Sequence, residues 1–201
     1  PLDVVLSADI IFVSIPISAL EGFLRTHGKL IHKDAFVVDV CSVKAEPVAW
    51  MTKHLPPSVD ILATHPLFGP HSTKGGTTFD SLPMVISPIR IRNQKRLHTL
   101  LQWFRKEKIT LHTVSPIAHD QEMARSQAMA FLFGKLGMKL GLHTGRFDTK
   151  GTKLLLENQA IVSEDTSQLF EDMFRFNPFA QEMLEQVSLE LTQIRKELSH
   201  V

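Results

Sequence analysis

AFVVDVCSVKAEPVAWMTKHLPPSVDILATHP, residues 35–66, decides the fold. A β-branched apolar run (AFVVDV, 35–40) precedes a stretch with helical spacing (45–55), and a second apolar run follows (DILATH, 60–65). Short continuous runs of this kind have the pattern of buried strands. Strand, helix, strand at this spacing predicts an α/β unit with a right-handed crossover. The pattern continues on both sides: DIIFVS (9–14), PMVIS (83–87) and ITLHTV (109–114) read as strands, with helices predicted over 17–26 and 92–107. The expected class is therefore α/β, a parallel sheet followed by an all-helical part. Ligands of such sheets sit outside the carboxyl ends of the strands, where Pro16, Ser42 and His65 fall.

Ten of the eleven prolines lie at or before Pro116, and the remainder of the chain reads as long helical periods. This shift puts a boundary near 114–117 and predicts domains over 1–114 and 115–201. The second opens with Ser115 as a cap and Pro116 at the first helical position. It then becomes apolar almost all round at 128–133, which predicts one helix buried on several sides. After Asn177 and Pro178, Leu184, Val187, Leu191, Ile194 and Leu198 step by three and four, a helix–helix seam. A helical domain with such a seam is expected to complete its core as a homodimer.

Formal net charge is +1, with Lys and Arg scattered among Asp and Glu, so no basic stripe points to nucleic acid or to an acidic lipid surface. No apolar run approaches the roughly 20 residues of a membrane span. A small-molecule substrate is the expected partner. Cys41 is the only cysteine, which excludes an intrachain disulfide and fits a reducing compartment, here the cytoplasm. No metal site is expected, because the histidines lack ligand spacing and carboxylates are not clustered near His65 and His71. The chain starts at Pro1 without a signal pattern and reads as a fragment.

Two stretches offer chemistry. VVDVCSVK (37–44) places Asp39, Ser42 and Lys44 at and beyond a strand end, where a hydroxyl and an ammonium can meet a ligand; equally, Ser42 can serve as a helix cap. In THPLFGP (64–70), Pro66 biases His65 toward an extended conformation and Gly69–Pro70 turns the chain, so the imidazole projects on a stiff loop. A histidine, with its pKa of about 6.5, is the side chain best suited to take a proton at neutral pH. The bland reading is that one of ten histidines falls in a turn. STKGG (72–76) imitates a phosphate loop but lacks the Walker order, and is read as a flexible turn.

Taken in order, VSIP (13–16), VVDVCSVK, THPLFGP, AHDQEMARSQ (118–127), DTKGTKLLLEN (148–158) and NPFAQEMLEQ (177–186) resemble the prephenate/arogenate dehydrogenase family of tyrosine biosynthesis, closest to the arogenate type. The resemblance implies a Rossmann-type domain binding NAD or NADP, a helical dimerisation domain, and oxidative decarboxylation of a cyclohexadienol. It makes His65 the group that polarises or deprotonates the ring hydroxyl, with Ser42 hydrogen-bonded to that hydroxyl and to His65. It places Ser14, Pro16, Ser42 and Lys44 at the cofactor and His71, Gln127 and Lys150 at the substrate. His119 and Asp120 match the family's His-Asp pair, with a structural role implied and Asp120 favoured by the helix dipole.

The sequence also departs from the family. The glycine-rich turn that receives a pyrophosphate is not among these residues, so the first domain reads as a partial Rossmann unit expected to bind dinucleotide poorly. His71 stands where an acid is usual, Phe131 where a substrate-facing histidine is common, and Lys150 is the nearest cation to a missing arginine. Two other readings stay open. One is a non-catalytic relative binding a small carboxylate, motivated by His71 and Phe131. The other is a 3-hydroxy acid dehydrogenase of similar architecture, with Lys135 or Lys139 as acid/base.

Overall fold

A computed structural model describes residues 2–69, 72 and 79–199. The chain divides into two compact units, Pro1–His119 and Asp120–Val201. This division falls a few residues beyond the shift in composition, because the first turn of the helix that opens at Pro116 belongs to the first unit.

In the first unit a short helix α1 (Leu2–Leu6) precedes β1 (Ile10–Val13), α2 (Ile17–His27), β2 (Phe36–Asp39), α3 (Ala45–His54), β3 (Asp60–Pro66), β4 (Pro83–Arg90), α4 (Gln94–Lys106) and β5 (Thr110–Thr113). The strands form one sheet in the order β1-β2-β3-β4-β5. Every residue of β2 is buried, as its unbroken apolar run requires. Phe36, Val38 and Leu62 pack with Met84 and Ile86 and with Leu100 and Phe104 of α4, forming the core on that side of the sheet. Full burial of side chains this large contributes about 1.5–3 kcal/mol each.

The sheet differs from the expected all-parallel one at a single pairing. β1–β2, β2–β3 and β4–β5 are parallel, whereas β3 and β4 are antiparallel. A parallel neighbour needs a crossover, usually helical, while an antiparallel one needs only a connecting loop. The residues between Pro66 and Pro83 carry Gly69, Pro70, Gly75 and Gly76 and no helical period, so the sequence offers no crossover there.

This pairing also corrects the expected setting of His65. β2 ends its pairing with β3 at Asp39↔Ala63, but β3 runs on, with Thr64, His65 and Pro66 opposite Ile86, Val85 and Met84 of β4. His65 therefore sits on a paired strand rather than on a loop. Pro66 ends that strand, and the next amide, from Leu67, donates to the Pro83 carbonyl at 3.0 Å.

The second unit takes up α5 (Pro116–Arg125) after its first turn and contains α6 (Gln127–Lys139), α7 (Lys150–Glu164), α8 (Ser167–Arg175) and α9 (Pro178–Leu198). The single helix expected from Ser115 onward is broken at Ser126, whose backbone leaves helical geometry (φ −113°, ψ −84°). The Ser126 hydroxyl donates to the Glu122 carbonyl at 2.8 Å, the back-bonding that bends helices. Ala128 and Phe131 of α6 join Ala124, Val162, Met173, Phe174 and Ala180 in the core of this unit. Ala128, Phe131 and Gly134 of α6 are buried, whereas Phe133 in the same apolar stretch is 45% exposed.

α6 and α7 approach closely at Gly134, where a Cβ would lie 2.7 Å from Val162 Cγ2. Asn177 caps α9 by accepting from the amides of Phe179 (3.1 Å) and Ala180 (3.3 Å). Its own amide donates to the Asp120 carbonyl at 2.9 Å. Along the predicted seam of α9, Leu184, Leu191, Ile194 and Leu198 are exposed.

Candidate active site

The carboxyl ends of β2 and β3 are joined by a buried polar lock. After Asp39 the chain leaves β2 and bends through Ser42 toward α3, and this brings the Lys44 ammonium back onto the Asp39 carboxylate. Both side chains are 0% exposed. The ammonium also donates to the Thr64 carbonyl at 2.5 Å. Asp39 accepts from the Cys41 amide at 3.0 Å and from the Thr64 amide at 3.3 Å, and the Thr64 hydroxyl donates to the Asp39 carbonyl at 2.6 Å. A buried charge pair persists only when its remaining donors and acceptors are satisfied, and here backbone groups do so. Lys44, expected at the cofactor, thus has its ammonium directed into the strand ends.

The lock fixes the residue immediately before His65. His65 is 3% exposed, and its Nδ1 lies 2.8 Å from Nε2 of His119, itself 1% exposed, on the first turn of α5. The two rings meet edge-on at 70°. Burial pushes the His65 pKa well below the ordinary histidine range, and its electrostatic interactions with His119 and Lys44 push in the same direction. The imidazole is thus held neutral, with Nε2 as the ring nitrogen His119 does not engage. Such a group can accept a proton from a ligand placed within hydrogen-bond reach.

His119 is the partner that sequence reasoning missed. The expected bond from Ser42 to His65 is not formed among the described residues; Ser42 is half-buried in the β2–α3 turn. The His-Asp pair was visible at 119–120, but 54 residues separate His119 from His65, and nothing local in the sequence records that they meet.

Ser14 and Pro16 are exposed beyond the end of β1, and α2 starts at Ile17 without a side-chain cap from Pro16. An uncapped helix start and exposed small groups leave amides and space for a ligand at the sheet's carboxyl edge. In the second unit, Gln127 opens α6 with a buried Oε1 that has no hydrogen-bond partner among the described residues. Lys150 is exposed at the start of α7, behind the Thr149 cap. Lys135 lies 3.3 Å from the Ser167 hydroxyl and over the ring of Phe170. His71 lies outside the described residues. Among those described, no cluster of three or more His, Cys, Asp or Glu could hold a metal, and no helix is long and apolar enough to cross a membrane.

Residues 1–112 match the family described as "Prephenate dehydrogenase, nucleotide-binding domain". The chain belongs to the prephenate dehydrogenase family. Residues 137–201 match a second family, described as "TYRAAT1-like, C-terminal domain". Over 195 residues the chain is 33% identical to arogenate dehydrogenase 2, chloroplastic, of Arabidopsis thaliana, covering 94% of this chain and 54% of that protein. It is 24% identical over 191 residues to a probable arogenate/prephenate dehydrogenase of Methanocaldococcus jannaschii, covering 88% of this chain and 41% of that protein. The chain thus spans about half the length, or less, of these relatives.

Among solved structures, prephenate dehydrogenase from Aquifex aeolicus in complex with hydroxyphenyl propionate and NAD+ superposes with a TM-score of 0.74 at 16% identity, covering 96% of this chain and 70% of that one. Synechocystis arogenate dehydrogenase gives a TM-score of 0.67 at 19% identity, covering 100% and 74%. At these identities the likeness establishes the fold: a Rossmann-type α/β unit followed by a helical one, as prephenate dehydrogenases have.

Proposed function

We propose that the protein carries out the NAD- or NADP-dependent oxidative decarboxylation of prephenate or arogenate in tyrosine biosynthesis, with His65 as the base. The observation that carries this reading is the buried, neutral His65, held at Nδ1 by His119 at the carboxyl edge of the sheet. Family membership supplies the reaction class.

His65 Nε2 takes the proton of the ring hydroxyl as the C=O bond forms at that carbon. NAD or NADP, when bound, supplies the hydride acceptor. Loss of the ring carboxylate as CO2 then gives an aromatic product, and aromatisation drives the reaction. The residues here need only orient the hydroxyl, exclude water and hold a neutral base, which is worth about 10²–10⁴-fold in rate. Ser42 orients the hydroxyl from the β2–α3 turn. Ser14, Pro16 and Ser42 hold the nicotinamide end, and Lys44 serves them indirectly by fixing the ends of β2 and β3.

Gln127, Lys150 and His71 are assigned to the substrate's carboxylates and side chain. The buried, unpartnered Gln127 Oε1 supports its assignment, since a ligand donor would satisfy it. The exposed apolar seam on α9 supports a homodimer through the helical unit. The single cysteine, buried and outside any disulfide, supports a reducing compartment such as the cytoplasm. The test is turnover of prephenate and arogenate by the full-length protein with each cofactor. His65→Asn is expected to lower kcat by at least about 10³-fold, within the range for loss of a general base. Full activity in that variant refutes the mechanism.

A further inference from the structure

We infer that His119 is a positioning residue that fixes His65 in one tautomer, with its proton on Nδ1 and Nε2 open as the base. This rests on the proposed function and deepens it. At 2.8 Å between Nδ1 of His65 and Nε2 of His119, one hydrogen lies between the rings, so one donates and the other accepts. Were His119 the donor, neutral His65 would carry its own proton on Nε2 and could accept none there. With His65 the donor, its Nε2 keeps a lone pair and His119 carries its proton on Nδ1. Only the second arrangement serves a base that works through Nε2.

Burial makes the choice hold. Both rings are almost fully removed from solvent, so water does not compete for the nitrogens and the shared hydrogen stays between the rings. The titratable groups acting on His65 are Lys44, whose ammonium Asp39 neutralises in the strand-end lock, and His119, which as the acceptor is a neutral ring. In the reaction the substrate O–H breaks and a His65 Nε2–H forms. The Nδ1–H···Nε2 bond to His119 then becomes charge-assisted and steadies the imidazolium. His119 gains and loses no proton in this step.

The test uses the full-length protein with ring-15N-labelled histidine, and long-range 1H–15N spectra at pH 7.5, with His65 assigned by the signals lost in His65→Asn. The expected result is His65 in the Nδ1–H form; an Nε2–H form or an averaged mixture overturns the inference. His119→Phe removes the acceptor and is expected to mix the tautomers, lower kcat about 10²-fold with little change in KM, and move the acid limb of kcat/KM to lower pH, because the His65 imidazolium loses the acceptor that steadies it. His119→Gln keeps an acceptor near the Nε2 position and is expected to recover activity to within about tenfold of the parent, a rescue that packing alone does not predict. If His119→Phe fails to fold, the parent tautomer and His119→Gln decide.

An Nδ1–H His65 in a protein that turns over neither substrate sinks the proposed function and leaves this inference standing. Turnover that needs His65 but is unchanged in kcat and acid limb by His119→Phe does the reverse.

Discussion

Replacing Lys44 by Met tests whether the ion pair at the strand ends is structural. The substitution keeps the apolar stem and removes the charge, leaving the Asp39 carboxylate in a site where both partners are 0% exposed. Breaking a buried pair by removing one partner costs about 3–5 kcal/mol. Asp39 retains the amides of Cys41 and Thr64 at 3.0 and 3.3 Å, which compensate part of its charge and place the expected loss at the lower end, about 3 kcal/mol. The Thr64 carbonyl also loses a donor at 2.5 Å.

Both tryptophans, Trp50 and Trp103, belong to the first unit, so their emission in a urea titration reports the stability of the unit that holds the pair. The double variant Asp39→Asn/Lys44→Met removes both charges, and its loss is expected to fall well below the sum of the single losses. A Lys44→Met protein within about 0.5 kcal/mol of the parent would refute the reasoning, since that is the range of exposed substitutions. Intact stability with weakened binding of NAD would return Lys44 to the cofactor.

Three further outcomes follow from the packing. Because the folded pKa of His65 lies well below that of the unfolded chain, about 6.5, the unfolded state binds the extra proton as pH falls through that window. Stability of the first unit is therefore full above about pH 6.5 and declines below it, and urea titrations at pH 5.0, 6.0 and 7.5 should show a shallower decline in His65→Asn than in the parent. Asn177→Ala removes the α9 cap and the donor to Asp120, and is expected to cost the helical unit about 2 kcal/mol, read by circular dichroism against urea. Gly134→Ala forces a methyl within 2.8 Å of Val162 Cβ, which a β-branched side chain cannot swing away from, and should cost about 1–3 kcal/mol in the same assay.

The strands were legible because each is a short unbroken apolar run, and β1 to β5 fall within a few residues of the runs that announced them. α9 was legible through its Asn177–Pro178 start, and α5 through Pro116. The sense of β4 was written only as an absence, the missing helical period between Pro66 and Pro83. The break at Ser126 was hidden because serine is compatible with both a helix interior and its end, and the outcome depends on whether its hydroxyl turns back to Glu122. Lys44 read as a ligand contact because a lysine beyond a strand end is ordinarily solvated; its burial depends on Asp39 and on the Thr64 carbonyl of the neighbouring strand. For His65 the residue type and its place at the sheet's edge were readable, whereas its partner on α5 is a product of tertiary structure alone.

The seating of His65 opposite Val85 in a paired strand has a consequence for how this protein can change over evolutionary time. His65 and the sequence that follows Pro66 answer to different constraints. An antiparallel ladder holds the base in place, and lengthening a loop between two such strands costs only about 0.6 kcal/mol per doubling. Phe68 and Phe79 pack against the core of the sheet and are bound by it, so the sequence between those two positions is where length and composition can change while the imidazole stays where it is. Under the proposed function, changes in that stretch would alter substrate preference around a fixed base, and exchanging it between relatives is a direct test of that separation.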